Sequence, residues 1–300
     1  MDRFESLRVF VAVGEEQSFS AAARRLALSP AAVTRAVAGL EQALGARLLQ
    51  RTTRIVRLTE AGSRYLLDAK RVLAELEDAD LAVSGAHAEV RGTLAITASV
   101  LFGRAFVAPL LHEFLRRRDK VNVRALFVDR VLDLIEDGLD VAVRIAHLAD
   151  ASFSAVRVGA VRNVVCASPA FLKRHGVPRT PDDLRHLPSY CFSADRSPPA
   201  WSFKVGKRTL AVRPNARLLV NSPEVAMQGA VAGEGVTRVL SYQAASELKA
   251  GRLRVILSEF EPEPIPIHVI HREGKRASAR VRAFVDFAVA ELRANPLLKA

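Results

Sequence analysis

Residues 18–40 read SFSAAARRLALSPAAVTRAVAGL, and the fold turns on this stretch. Two short helical patterns are joined by a break. The first runs over Ser20–Leu26, with Ala22, Ala23 and Leu26 on one face, where small residues let a second helix cross closely. Leu28 falls in the turn. Ser29 carries the hydroxyl of an N-cap, which accepts from an unpaired backbone N–H, and Pro30 follows at the first helical position, where a missing N–H costs nothing. The second helix runs to about Glu41, with Val33, Val37 and Leu40 at i, i+4 and i+7. Its other face, Pro30, Ala31, Thr34, Arg35 and Ala38, is small and carries one charge. Such a face fits a DNA major groove, with its N-terminal residues at base edges. A helical hairpin inside a core is the other use of the same pattern.

The flanks favour DNA. Phe4–Glu16 reads as a preceding amphipathic helix with Leu7, Phe10, Val11 and Val13 inward. Gly45 breaks the second helix, and Leu48 and Leu49 dock back on the core. Arg51-Thr52-Thr53-Arg54 reads as a tight turn between short strands, the second being Ile55–Leu58. That arrangement is a winged helix-turn-helix. The run from Phe4 to Gly62 resembles the DNA-binding domain of the LysR-type transcriptional regulators. The resemblance stands on Phe19, Ala21-Ala22-Ala23, Leu26, Ser29, Ala32-Val33, Arg35, Leu40-Glu41, Leu44-Gly45, Leu48, Arg51-Thr52 and Leu58-Thr59-Glu60-Ala61-Gly62. One departure is Pro30-Ala31, where the family often has Gln-Pro, so a base-reading amide is absent at position 30 and base contacts shift to other residues.

The 300 residues suffice for two domains, and half of them are hydrophobic and a quarter charged, as in a soluble globular protein. No apolar run approaches a membrane span and the N-terminus lacks the regions of a signal peptide, so a cytoplasmic protein is expected. The net charge of +12 is unevenly placed. Residues 1–58 hold nine Arg, no Lys and five acids, a net of +4; residues 59–91 hold four basic and seven acidic residues, a net of −3. The remaining +11 lies on 92–300, as solvated surface charge or as an aid to binding DNA or an anion. Cys166 and Cys191 have no CxxC or His-rich companion, so no metal site is expected, and the apolar run around Cys166 reads as a buried strand. Some LysR-type proteins sense oxidants with a cysteine pair.

Thr59 can cap a long helix from Glu60. Tyr65, Ala69, Val72, Leu76, Ala79 and Val83 step by four and three, an a/d seam. The seam can pair with a second copy or pack on the chain's own core; the family's linker helix favours pairing, as homodimer or homotetramer. Ser84-Gly85 ends the pattern and residues 85–91 read as a hinge.

From Gly92 strands and helices alternate: Thr93–Thr97 strand, Phe102–Arg117 helix, Val121–Phe127 strand, Val131–Glu136 short helix, Asp140–Ile145 strand. A second unit holds strand Val161–Ala167, helix Pro169–His175, a helical turn Pro181–Leu184, strand Tyr190–Ser193 and a hairpin of Trp201–Val205 with Thr209–Arg213. Strand Leu218–Asn221, helix Ser222–Ala232, strand Val236–Leu240 and helix Tyr242–Lys249 follow; Pro266–His271 returns to the first unit before helix Ser278–Arg293. The alternation predicts mostly parallel sheets. Two such lobes resemble the family's effector domain, which implies a periplasmic-binding-protein-type fold. The expected class is α+β multidomain: a winged helix-turn-helix over 1–59, a linker and dimerisation helix with hinge over 60–91, and a two-lobed α/β effector domain over 92–300. Lobe I spans about 92–160 and 265–300, and lobe II about 161–264.

No HExxH, G-x-S-x-G or P-loop is present, and an enzyme is not expected. Ligands in open α/β sheets sit outside the carboxyl ends of strands. That rule selects Ser99 and Val100, Val128 beside Phe127 and Asp129, Arg144, and Asn221 with Ser222. Ser99 and Ser222 stand near helix starts, which attract anions. Arg144 either supplies a counter-charge or pairs with Asp140 or Asp150. A small organic acid is the expected effector, and no cofactor is expected. For DNA, Thr34 and Arg35 are base-edge or phosphate candidates, with Ser20 and Ser29 at helix starts and Pro30 and Ala31 on the same face. Arg51 and Arg54 lie on the wing, unless Arg51 pairs with Glu41 or Glu60. The sequence therefore predicts a ligand-responsive transcription regulator on a pseudo-palindromic double-stranded operator. A sensor whose helical N-terminus serves protein contacts and an enzyme on an α/β scaffold are the competing readings.

Overall fold

Asp2 opens the first helix, α1 (Arg3–Glu16): its carboxylate accepts from the Phe4 N–H at 3.2 Å, while Glu5 reaches back to the Asp2 N–H. In this computed structural model residues 2–51, 56–83, 90–148, 153–193, 197, 199–272 and 277–299 are described, with the side chains of 51, 75, 77–79 and 81–83 set aside. The chain divides into two compact units, one made mainly of residues 1–92 and the other mainly of residues from Thr93 onward.

In the first unit α2 (Phe19–Arg25) is capped by Ser18, two residues before Ser20, through the Ala21 N–H. Its end is closed by Ala27 in the left-handed region at φ 53°, with the Leu28 N–H donating to the Ala23 carbonyl at 2.9 Å. Ser29 caps α3 (Pro30–Leu44), which ends at Gly45 with φ 64°. Phe10, Val13, Ala22, Val33, Val37 and Leu40 form one buried core, joined by Leu48 and Leu49. Strands β1 (Leu49–Arg51) and β2 (Val56–Leu58) pair antiparallel as the wing.

Thr59 does cap α4 (Glu60–Val83), accepting from the Gly62 N–H at 2.9 Å. The expected seam divides along α4. Ala69 is 2% exposed within the N-terminal core, and Tyr65 packs on Phe10 at 5.6 Å between ring centroids. These two positions are corrected from dimer seam to the chain's own core, because α1 offers them an apolar face. Val72 is exposed and Leu76 half-buried on the same helix. The side chains of Ala79 and Val83, and most of the hinge expected at 85–91, lie outside the described residues.

Among the described residues the second unit carries two five-stranded sheets. The first sheet orders β4 (Val121–Phe127), β3 (Gly92–Ala98), β5 (Val141–Ile145), β14 (Ile265–His271) and β6 (Ser154–Val161). The second orders β11 (Asn215–Val220), β8 (Pro188–Phe192), β12 (Val236–Leu240), β7 (Asn163–Ala167) and β13 (Arg254–Ile256). Strands β9 (Trp201–Val205) and β10 (Arg208–Val212) form a separate hairpin. The sheets are mixed rather than mostly parallel. β3 with β5, β11 with β8 and β8 with β12 run parallel, while β14 and β7 are antiparallel to both of their neighbours. β7 follows β6 across Arg162 alone, and β14 returns from the other sheet. Neither arrives through a helical crossover, which is what enforces parallel pairing.

Helix α5 spans 100–117 and starts two residues earlier than expected, with π-helical geometry over Gly103–Val107. The expected helix Val131–Glu136 is a single turn. Gly138 at φ 61° closes it, with the Leu139 N–H donating to the Leu134 carbonyl at 2.9 Å. Leu132 and Leu134 are buried while Val131 is 83% exposed, an alternation that a longer helix would break. Strands Ser154–Val161 and Arg254–Ile256 had no counterpart in the sequence reading, and the strand expected from Val161 begins at Asn163. Helices α6 (Pro169–His175), α7 (Pro223–Val231), α8 (Ser241–Lys249) and α9 (Ala279–Ala294) complete the unit.

Candidate DNA-binding face and effector cleft

Because Val33, Val37 and Leu40 turn into the core, α3 presents Pro30, Ala31, Arg35 and Ala38 outward, all exposed, with Thr34 half-buried beside them. The Ser29 oxygen accepts from the Ala32 N–H at 3.2 Å, which leaves its hydroxyl proton free to donate. Ser20 is exposed on α2. Arg35 makes no hydrogen bond or ion pair among the described residues, in contrast to Arg25, which binds Glu15 at 2.7 Å and Glu16 at 3.3 Å. Burial pushes the Glu15 carboxyl up, but hydrogen bonds from Lys70 and Arg25 outweigh it and hold it below the usual carboxylate range. Arg25 is thus spent on fixing α2 to α1, and Arg35 is not. Glu41, suggested as a partner for Arg51, accepts the backbone N–H groups of Leu48 and Leu49 at 2.8 and 3.0 Å. Arg54 and the Arg51 side chain lie outside the described residues. Arg24, Arg47 and Arg57 are exposed with unpaired side chains among the described residues; the lysine-free arginine run of 1–58 was the signal for them.

In the second unit a cleft of about 300 Å³ opens at the carboxyl ends of β3, β5 and β12. Ser99, Val128 and Arg144 line it, as expected from strand ends; Val100, Asn221 and Ser222 do not. Ser222 instead caps α7 through the Val225 N–H at 3.4 Å, and Asn221 is exposed. The Val100 N–H, expected to face a ligand, donates to Asp129 Oδ1 at 3.0 Å. Arg144 donates to the Leu132 carbonyl, and Asp140, its suggested partner, accepts from the Ala95 N–H at 2.7 Å. Tyr242, Gln243 and Arg130 also line the cleft and were missed. The strand-end rule, applied to β12, would have found Tyr242 and Gln243.

Tyr242 ties the two sheets together. Its ring meets Phe102 and Phe106 of α5 edge-on, at 5.6 and 5.5 Å between centroids. The π-helical turn brings Phe102 and Phe106 to 4.7 Å. Burial pushes the Tyr242 hydroxyl up to about 12 and Asp129 adds to the rise, against hydrogen bonds with Gln243 and Ser99. The phenol is therefore a neutral donor and acceptor at neutral pH. Arg104 of α5 also reaches Glu224 of α7 at 3.2 Å. Among the described residues no group of three or more His, Cys, Asp or Glu could hold a metal ion.

Residues 4–63 match the family described as bacterial regulatory helix-turn-helix protein, lysR family, and residues 87–293 match the LysR substrate binding domain. The chain belongs to the LysR family. Within it, the HTH-type transcriptional repressor PA14_22550 of Pseudomonas aeruginosa (strain UCBPP-PA14) is 31% identical over 299 residues, covering 99% of this chain and 94% of that one. The HTH-type transcriptional activator AaeR of Escherichia coli (strain K12) is 30% identical over 289 residues, covering 95% of this chain and 93% of that one. One level of identity therefore spans both directions of control. Among solved structures, the LysR-type regulator CrgA from Neisseria meningitidis superposes with a TM-score of 0.61 at 30% identity, over 97% of this chain and 99% of that one. The chain is a LysR-type transcriptional regulator, its helix-turn-helix joined to an α/β domain of two sheets. No helix of the described residues is long and apolar enough to cross a membrane.

Proposed function

We propose that the protein binds a pseudo-palindromic operator as a homodimer or a dimer of dimers, in the cytoplasm, and that a small organic molecule in the α/β cleft sets its activity. The exposed, lightly charged face of α3, with unpaired Arg35 at its centre, carries the reading: it is small enough to enter a major groove and offers one cation there. Ser20 and Ser29 contact phosphates, Thr34 and Arg35 contact base edges or phosphates, and Pro30 and Ala31 pack against the groove wall. Arg51 and Arg54 follow the backbone or minor groove from the wing. Val72 and Leu76 remain as the apolar contacts through which α4 pairs with a second copy. Domain limits near 59 and 91, with lobe I over about 92–160 and 265–300 and lobe II over about 161–264, belong to the same proposal. The test is selection of genomic fragments by the full chain at two salt concentrations, followed by footprinting. Two protected half-sites related by a dyad, retained at the higher salt, are expected; binding that falls equally for all fragments would overturn the proposal.

A further inference from the structure

We propose that the cleft takes a small zwitterion of amino-acid type with an apolar side chain, its ammonium group against Asp129 and its carboxylate at Arg130; this rests on the reading of the cleft as the effector site. The groups that would suit a simple carboxylate are already engaged. Asp129 Oδ1 accepts the Val100 N–H at 3.0 Å, so the start of α5 holds a built-in anion. Arg144 is directed onto the Leu132 carbonyl. The second oxygen of Asp129 accepts no hydrogen bond among the described residues, and its carboxylate is exposed in the cleft beside the Ser99 and Tyr242 hydroxyls.

An ammonium group has three donors and no acceptor, which suits the oxygens that Asp129, Ser99 and Tyr242 contribute to the cleft lining. Arg130, the next residue, is exposed, lines the same cleft and has no partner among the described residues. Its planar fork fits a carboxylate. Asp129 and Arg130, consecutive in the chain, thus bring opposite charges to one cleft, and neither side chain pairs with another charged group among the described residues. A lone carboxylate would face Asp129, and a lone cation would face Arg130 and Arg144; a zwitterion satisfies both ends. Val128, Ile145, Leu240 and Ile265 supply an apolar wall for a side chain. About 300 Å³ lies at the small end of ligand pockets, which fits a molecule of this size.

The test is thermal unfolding of the full chain with millimolar L-leucine, L-phenylalanine, N-acetyl-L-leucine and L-leucine methyl ester. A ligand that binds only the folded state raises the midpoint. At least one free amino acid should raise it by several degrees, and the two blocked forms should not. Asp129→Asn keeps an acceptor for the Val100 N–H, and should weaken the apparent affinity for the free amino acid at least tenfold. Arg130→Gln should do the same from the carboxylate end. The proposal is overturned if the N-acetyl acid or the ester binds as tightly as leucine, if neither variant weakens binding, or if no compound shifts the midpoint. Fragment selection by the wild-type chain without ligand tests the regulator reading separately, so the two can fail independently.

Discussion

Gly62 lies so close to the carbonyl oxygen of Leu48 that a Cβ added to it would fall 1.9 Å away. The same carbonyl accepts the Thr59 N–H at 2.9 Å. The first turn of α4 is therefore seated directly on the buried segment that enters the wing, and only a residue without a side chain fits. Gly62→Ala is expected to destabilise the first unit by about 1–3 kcal/mol, as overpacking does. Gly39 is the control: nothing lies within 4 Å of its added Cβ, and Gly39→Ala should stabilise α3 by roughly 0.5–1 kcal/mol. Urea unfolding checks both. A Gly62→Ala protein as stable as wild type would mean that α4 does not depend on this seat.

The linker helix should separate folding from assembly along its length. Ala69→Asp buries an unpaired charge at a site 2% exposed, and should unfold the N-terminal unit. Val72→Asp with Leu76→Asp should leave that unit folded and dissociate the oligomer. Circular dichroism with sedimentation velocity distinguishes the two; an intact oligomer in the double variant would place the self-association elsewhere.

Neither cysteine should respond to oxidants. Cys166 packs with Val164, Ala230 and Val239, and Cys191 with Trp201 and Phe203, in separate core clusters of the second unit. Burial pushes the two thiols up to about 12 and about 11, and the thiolate is the reactive form. A thiol reagent should label the native protein only at the rate of unfolding, and peroxide should leave operator binding unchanged. Rapid labelling of the folded chain would contradict this burial.

Acid should weaken the second unit. Nδ1 of His268 and of His271 is buried with no hydrogen-bond partner among the described residues. Burial holds both imidazoles below 6.5; Arg157 and His147 lower His268 further, while Ala146 backbone bonding raises it and Asp286 raises His271. A lowered folded value means that the unfolded chain takes up the proton first. Their contribution is complete above about 6.5 and is lost as pH falls from there toward the lowered values. The melting midpoint should drop between pH 7 and pH 5, and less so in His271→Leu. Identical pH profiles for the two proteins would contradict the assignment.

The helix-turn-helix was legible because its signals are local. Ser29, Pro30 and Gly45 mark the ends of α3, and the period of Val33, Val37 and Leu40 sets its inner face. Ser20 was read as the start of α2 because Ser18, the true cap, stands behind an aromatic residue that joins the helix. The α/β unit was legible in its elements and less so in its pairing, since strand direction follows from connections rather than composition. At Val131–Glu136 the apolar residues fit a helical period, but the buried ones are Leu132 and Leu134, and the glycine that ends the turn comes only at 138. The cleft was half legible. Strand ends gave Ser99, Val128 and Arg144, and the end of β12 would have given Tyr242, but no spacing rule shows that Asp129 seals the helix start.

The central claim is that the outer face of α3 reads DNA, and fluorescence anisotropy of a selected operator with wild type and Arg35→Ala tests it most directly. Loss of one base or phosphate contact should cost on the order of 1–3 kcal/mol, enough to abolish specific binding near the wild-type dissociation constant, with the far-ultraviolet spectrum unchanged. Equal affinity of the two proteins for that operator would contradict the claim.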